Sequence, residues 1–120
     1  MWWGAAVEAP DALALAIFYS QLLDWPICNQ SEGTVVLAAP GGSSFVVFQE
    51  SADFQAATWP PVRGEQRPMM HLDFEVEDLE SAVSEAVALG ARVANFQTRE
   101  NVRVLFDPVG HPFCLCRDDG

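Results

Sequence analysis

Basic residues are scarce in this chain: six stand against 17 aspartates and glutamates, a formal charge of −11 over 120 residues. Nucleic acid and anionic membranes both require a cationic surface, so neither is an expected partner. Long apolar runs are missing too. No segment approaches the roughly 20 residues of a membrane span, and the opening MWWGAAVEAP has no basic stretch leading into an apolar one. A cytoplasmic location is the expectation. Cysteine is sparse and odd in number, with Cys28, Cys114 and Cys116 in no CxxC spacing. Neighbours two apart on one strand face make an awkward disulfide, so reduced thiols are expected. Neither a GxSxG nucleophile turn nor a P-loop occurs, and Gly41-Gly42 reads as a hairpin turn, not a phosphate cradle.

What is present is half apolar and only 19% charged, a composition that argues against disorder. The length suits a single core. The chain is laid out most clearly at residues 69–89. Met70, Leu72, Phe74 and Val76 alternate with His71, Asp73, Glu75 and Glu77, the period of a strand with one apolar and one polar face. After Asp78 the period becomes helical, with Leu79, Ala82, Val83, Ala86 and Leu89 on one side. Asp78 is placed to cap the first turn and Gly90 to end the last.

The beginning of the chain follows the same order. A strand over residues 2–8 precedes a helix opened by Pro10 and Asp11 and carrying Leu15, Phe18, Tyr19, Leu22 and Leu23 as its apolar stripe. Asp24 stands at the left-handed position before Trp25-Pro26. Strands over 27–30, 34–38 and 44–49 follow, joined by turns at Gly33 and at Pro40-Gly41-Gly42. Residues 51–68, with three prolines and no period, form a connector that carries Phe54 and Trp59. Strands over 69–76, 92–97, 103–106 and 113–116 and a helix over 78–89 complete a second set, with Asp107 to Gly110 as its last turn. Setting Val7-Glu8 on Val76-Glu77 aligns the two halves. The expected fold is α+β, one domain over 1–120 built from two βαβββ modules, about 1–50 and 69–120.

The stretches HLDFEVEDLESAVSEAVALGARV and DPVGHPFCLC, with FYSQLLDWP and VVFQ earlier, resemble the glyoxalase-like members of the vicinal oxygen chelate superfamily. That group includes glyoxalase I, extradiol dioxygenases and bleomycin-resistance proteins. The resemblance implies eight strands in an incomplete barrel, helices outside, and a site on the concave face, toward which His71, Asp73 and Glu75 would point. In catalytic relatives, side chains from the first and last strands of each module hold a divalent metal, and single-chain members commonly form homodimers. Carried over, those positions fall on His71, on or beside Trp2, on Cys114, and near Val47 with Gln49 two residues on. One imidazole, one thiol and an amide fall short of the three good ligands of a catalytic zinc. His111, the other histidine, lies in a hairpin turn. No metal cofactor is therefore expected, with a weakly held divalent ion as the alternative.

For His71, a general base oriented by Asp73 or Glu75 is weighed against a histidine simply hydrogen-bonded to a carboxylate, and the second is preferred. Cys114 and Cys116 read better as small apolar residues than as nucleophiles. Trp2, Trp3, Phe54 and Trp59 exceed what one small core needs and suit either a cleft or a homodimer interface. The leading expectation is metal-independent binding of a small apolar or aromatic molecule by Gln49, Trp59, His71, Asp73 and Cys114. Trp3, Phe54, Glu75 and Arg103 are second choices, Arg103 meeting either an anionic ligand or Glu75. A lyase or isomerase acting beside a carbonyl, with His71 as the best catalytic candidate, is the competing class. Protein association is the third.

Overall fold

Two strand-helix-strand-strand-strand modules follow one another in the computed structural model, which describes residues 1–117. The chain divides into two compact units, Met1–Phe54 and a second from Gln55 onward. The division falls inside the proline-rich connector, where no strand or helix forms.

In the first unit, β1 (Trp3–Ala9), β2 (Ile27–Ser31), β3 (Thr34–Ala38) and β4 (Ser44–Glu50) form a sheet in the order β1-β4-β3-β2. The β1–β4 pair is parallel and the other ladders antiparallel. Helix α1 (Ala12–Leu23) is capped by Asp11, whose carboxylate accepts from the Ala14 amide, and it stops at Asp24 with φ +56°. Leu15, Phe18 and Tyr19 bury against Val35, Leu37, Val46 and Phe48, with the Tyr19 and Phe48 rings stacked at 5.6 Å. Fully burying such side chains contributes about 1.5–3 kcal/mol each.

In the second unit, β5 (Leu72–Glu75), β6 (Arg92–Val93), β7 (Val102–Phe106) and β8 (Pro112–Cys116) form a sheet in the order β5-β8-β7-β6. Helix α2 (Leu79–Ala88) is capped by Asp78, which accepts from the Ser81 amide, and the chain turns at Gly90 with φ +119°. Leu105, Phe113 and Leu115 are buried on one sheet face; Leu79 and Ala86 are buried on α2. The βαβββ order thus occurs twice, and the fold is α+β with eight strands in two sheets of four.

Three local expectations are corrected. The strand expected over 69–76 begins only at Leu72, because the parallel partner preceding Phe113 is Pro112, which has no amide to donate. The strand expected over 92–97 ends at Val93 because a side chain replaces it. The Gln97 amide accepts from Val104 N at 2.8 Å and donates to Val104 O at 2.9 Å and Ala94 O at 2.7 Å. The alignment of the halves also shifts. Matching the two N-caps, Asp11 and Asp78, places Gly4 on His71, where the sequence alignment had Trp2. Strand pairing agrees, since Val47 faces Ala6 as Cys114 faces Asp73. A slip of two residues keeps every side chain on its face, so the hydrophobic pattern cannot detect it.

Candidate functional site

Alternation along β5, β7 and β8 sorts the second sheet into two faces. Leu72, Phe74, Leu105, Phe113 and Leu115 share one. Asp73, Cys114 and Val104 form a row on the other, with Cys116 and Val102 in the next row. This second face floors a cleft of about 260 Å³. Its walls are Trp59 and Pro68 from the connector, Thr98 and Arg99 from the loop before β7, and Pro112 and His71 at the strand starts.

Trp59 is both latch and wall. Its indole N–H donates to the Phe96 carbonyl at 3.3 Å and its ring meets the Phe96 ring edge at 6.0 Å. The polar corner lies opposite in chemistry: His71 Nδ1 and Asp73 Oδ1 are 2.8 Å apart, with side chains 50% and 55% exposed. That bond engages Nδ1 and leaves Nε2 available to a ligand.

Cys114 is the cross-strand partner of Asp73. Burial, then the Asp73 charge and a hydrogen bond from the thiol to Asp73, push its pKa from 9.0 up to about 12. The thiol is neutral at pH 7 and a poor nucleophile. Cys116 is also raised, chiefly by burial and then by Asp73, while Arg99 pulls it down. Both cysteines are partly buried and line the cleft. Their expected role as small apolar residues therefore extends to the site itself.

Of the five residues expected to bind a ligand, Trp59, His71, Asp73 and Cys114 meet in this cleft. Gln49 does not line it; it is exposed on β4 of the first unit, beside Glu8 and Thr34. Trp3 shares a face with Ala5 and Val7, whose partners Val46 and Phe48 are buried. Trp2 instead sits edge-on to Phe45 at 5.6 Å. Phe54 closes the first unit and is not part of the cleft wall. Glu75 faces the same way as Asp73 but lies outside the lining. Arg103 is on the opposite face from the cleft, paired with Leu115. Its guanidinium donates to the Glu100 and Val102 carbonyls at 2.9 Å each, not to Glu75.

Sequence reasoning missed Pro68, Thr98, Arg99, Val102, Val104, Pro112 and Cys116 as wall residues. The strand residues could have been found by extending the alternation outward from Cys114. Thr98 and Arg99 lie in an irregular segment with no period to read.

The donor chemistry also differs from expectation. One ligand atom each of His71, Asp73 and Cys114 lies within 4.8 Å of the other two. Asp73 is not among the positions that the family resemblance implies for a metal. A nitrogen, an oxygen and a sulfur, from Asp73 and Cys114 on the sheet and His71 just before β5, are the donor types of an open three-ligand site, and in chemistry they suit a divalent ion.

Comparison with known proteins agrees with this architecture. Among solved structures, a glyoxalase/bleomycin resistance protein/dioxygenase family enzyme from Burkholderia phytofirmans superposes with a TM-score of 0.72 at 17% identity, covering 95% of each chain. A glyoxalase/bleomycin resistance protein from Albidiferax ferrireducens gives 0.68 at 15% identity over 98% of each chain. A genomically encoded fosfomycin resistance protein from Listeria monocytogenes, solved with Mn(II) and sulfate, gives 0.72 at 14% identity over 95% of this chain and 86% of its own. No curated protein sequence matches. The glyoxalase-like domain model matches residues 4–116. With that match spanning both βαβββ modules, the chain belongs to the glyoxalase-like domain family of the vicinal oxygen chelate superfamily.

Proposed function

We propose that the second unit binds a small, flat, largely apolar molecule in the cleft beneath Trp59, using side chains alone. The observation that carries this reading is the wall itself: Trp59, Pro68, Val102, Val104 and Pro112 line the cleft together with a few polar side chains, His71, Asp73, Thr98 and Arg99. Ligand pockets combine apolar walls with a few convergent polar groups in this way. The volume of about 260 Å³ suits a molecule of one or two rings.

A thermal-shift and tryptophan-fluorescence screen of aromatic and antibiotic-like compounds tests it. Trp59→Ala is expected to weaken a hit by roughly 1–3 kcal/mol, about tenfold to a hundredfold, as loss of a stacking wall does. A chelator should leave wild-type affinity unchanged. Binding untouched by Trp59→Ala would place the ligand elsewhere and sink the reading.

The 2.8 Å contact between His71 and Asp73 supports a second reading, a lyase or isomerase moving a proton beside a carbonyl. Turnover of such substrates should then fall at least about a hundredfold in His71→Gln. Turnover unaffected by that change would remove His71 as the base.

A further inference from the structure

We propose that the ligand of this cleft is an aromatic carboxylate, its ring beneath Trp59 and its carboxylate on the Arg99 guanidinium. The inference rests on the cleft reading above and names the class of molecule that such a cleft would take. Arg99 lines the cleft, and among the described residues its guanidinium has no hydrogen-bond or ion-pair partner. Other arginines are engaged: Arg92 lies over the Phe106 ring at 5.1 Å, and Arg103 donates to backbone carbonyls. In a chain with 17 acids against six bases, a cation that faces a cleft without a carboxylate beside it is an open place for an anion. Its planar fork suits a carboxylate in particular.

Two side chains hold the segment that presents Arg99. Before it, the Gln97 amide donates to the Ala94 carbonyl at 2.7 Å and the Val104 carbonyl at 2.9 Å, and accepts from Val104 N at 2.8 Å. After it, the Arg103 guanidinium donates to the Glu100 and Val102 carbonyls at 2.9 Å each and to the Arg99 carbonyl at 3.4 Å. Arg103 thus fastens the backbone from the face opposite the cleft. It is a positioning residue for Arg99.

The cleft is also polarised along β8. Asp73 stands beside Cys114, and Cys116 lies two residues further, roughly 7 Å along the strand. Burial and then Asp73 raise both thiols, whereas of the two only Cys116 is pulled down by Arg99. The positive charge therefore acts at the Cys116 end of the floor. A ligand carboxylate is repelled by Asp73 and drawn to Arg99, while Val102 and Val104, from the rows of Cys116 and Cys114, give its ring an apolar floor. A flat acid is held in one direction.

Calorimetric titration of naphthoate and of its primary amide, naphthamide, tests the class, since the two probes share the ring and differ in charge. Naphthoate should bind at least roughly tenfold tighter, the effect of a charge-assisted pair. Arg99→Gln should abolish that preference and leave naphthamide affinity unchanged; Arg99 is exposed, so the variant should fold as the wild type does. Arg103→Met should reduce the preference, again at unchanged naphthamide affinity, because a segment that had merely lost stability would weaken both probes. Equal affinity for the two, tighter binding of the amide, binding of neither, or a preference that survives in Arg99→Gln would each overturn the proposal. Trp59→Ala should weaken both probes alike. Failure of the broader cleft reading therefore shows in naphthamide, and failure of this one in the ratio of the two.

Discussion

Replacing Asp107 by alanine is expected to cost about 3–5 kcal/mol of stability, at the upper end of single-substitution effects. This carboxylate is 1% exposed, and its Oδ1 accepts from the amides of Val109, Gly110 and His111, each at 3.0 Å. Its Oδ2 lies 2.8 Å from His111 Nδ1. Alanine removes the acceptor and leaves the amides of Val109 and His111 in the turn between β7 and β8 to find other partners, while Gly110 keeps its bond to the residue 107 carbonyl at 3.0 Å. The turn also sets where β8 starts, and β8 carries both Cys114 and Cys116 into the cleft. Denaturant melts should show the full loss for Asp107→Ala. Asp107→Asn should lose less, because its carbonyl oxygen can still serve the three amides while His111 changes its role toward the other atom. A loss below about 1 kcal/mol for alanine would mean that backbone bonds alone hold the turn.

The DPVG segment shows why much of the architecture was legible. Its residues act on their immediate neighbours, as do the caps Asp11 and Asp78 and the left-handed Asp24, so local chemistry determines local geometry. What escaped depended on register or on irregular chain. Period-two reasoning placed His71 and Asp73 on one face correctly, but it could not detect a two-residue slip between the modules. Arg103 was considered for the site because its own strand gives no sign of which face is the cleft. Only pairing of Val104 with Cys114 sends Arg103 to the other side. Gln97 fits a strand pattern in the sequence, yet its side chain takes the hydrogen bonds that a strand backbone would make. Asp73 is legible from the sequence as a ligand-binding residue but not as a donor beside His71 and Cys114, because that grouping depends on distance and not on inherited position.

Gly110→Ala is the other substitution expected to be costly, and it joins stability to the cleft wall. Gly110 has φ +102°, where an L side chain is strained, and an added Cβ would lie 2.8 Å from the Ala56 Cβ. Backbone strain of about 1–2 kcal/mol adds to an overpacking cost of about 1–3 kcal/mol. Ala56 is exposed, so the connector can yield, which puts the expected total near 2–4 kcal/mol. Yielding is not free, because this connector also carries Trp59 and is tied by Thr58 N to the Gln66 carbonyl at 2.8 Å. A shift at residue 56 displaces the chain three residues before the aromatic wall. Ligand affinity should therefore fall in Gly110→Ala even at temperatures where the protein remains folded. Adding Ala56→Gly removes the side-chain collision but leaves the φ strain, so the double variant should regain affinity fully and stability only in part. Equal recovery of both would assign the whole cost to the collision, whereas no recovery of either would assign it to the backbone and detach the turn from the wall.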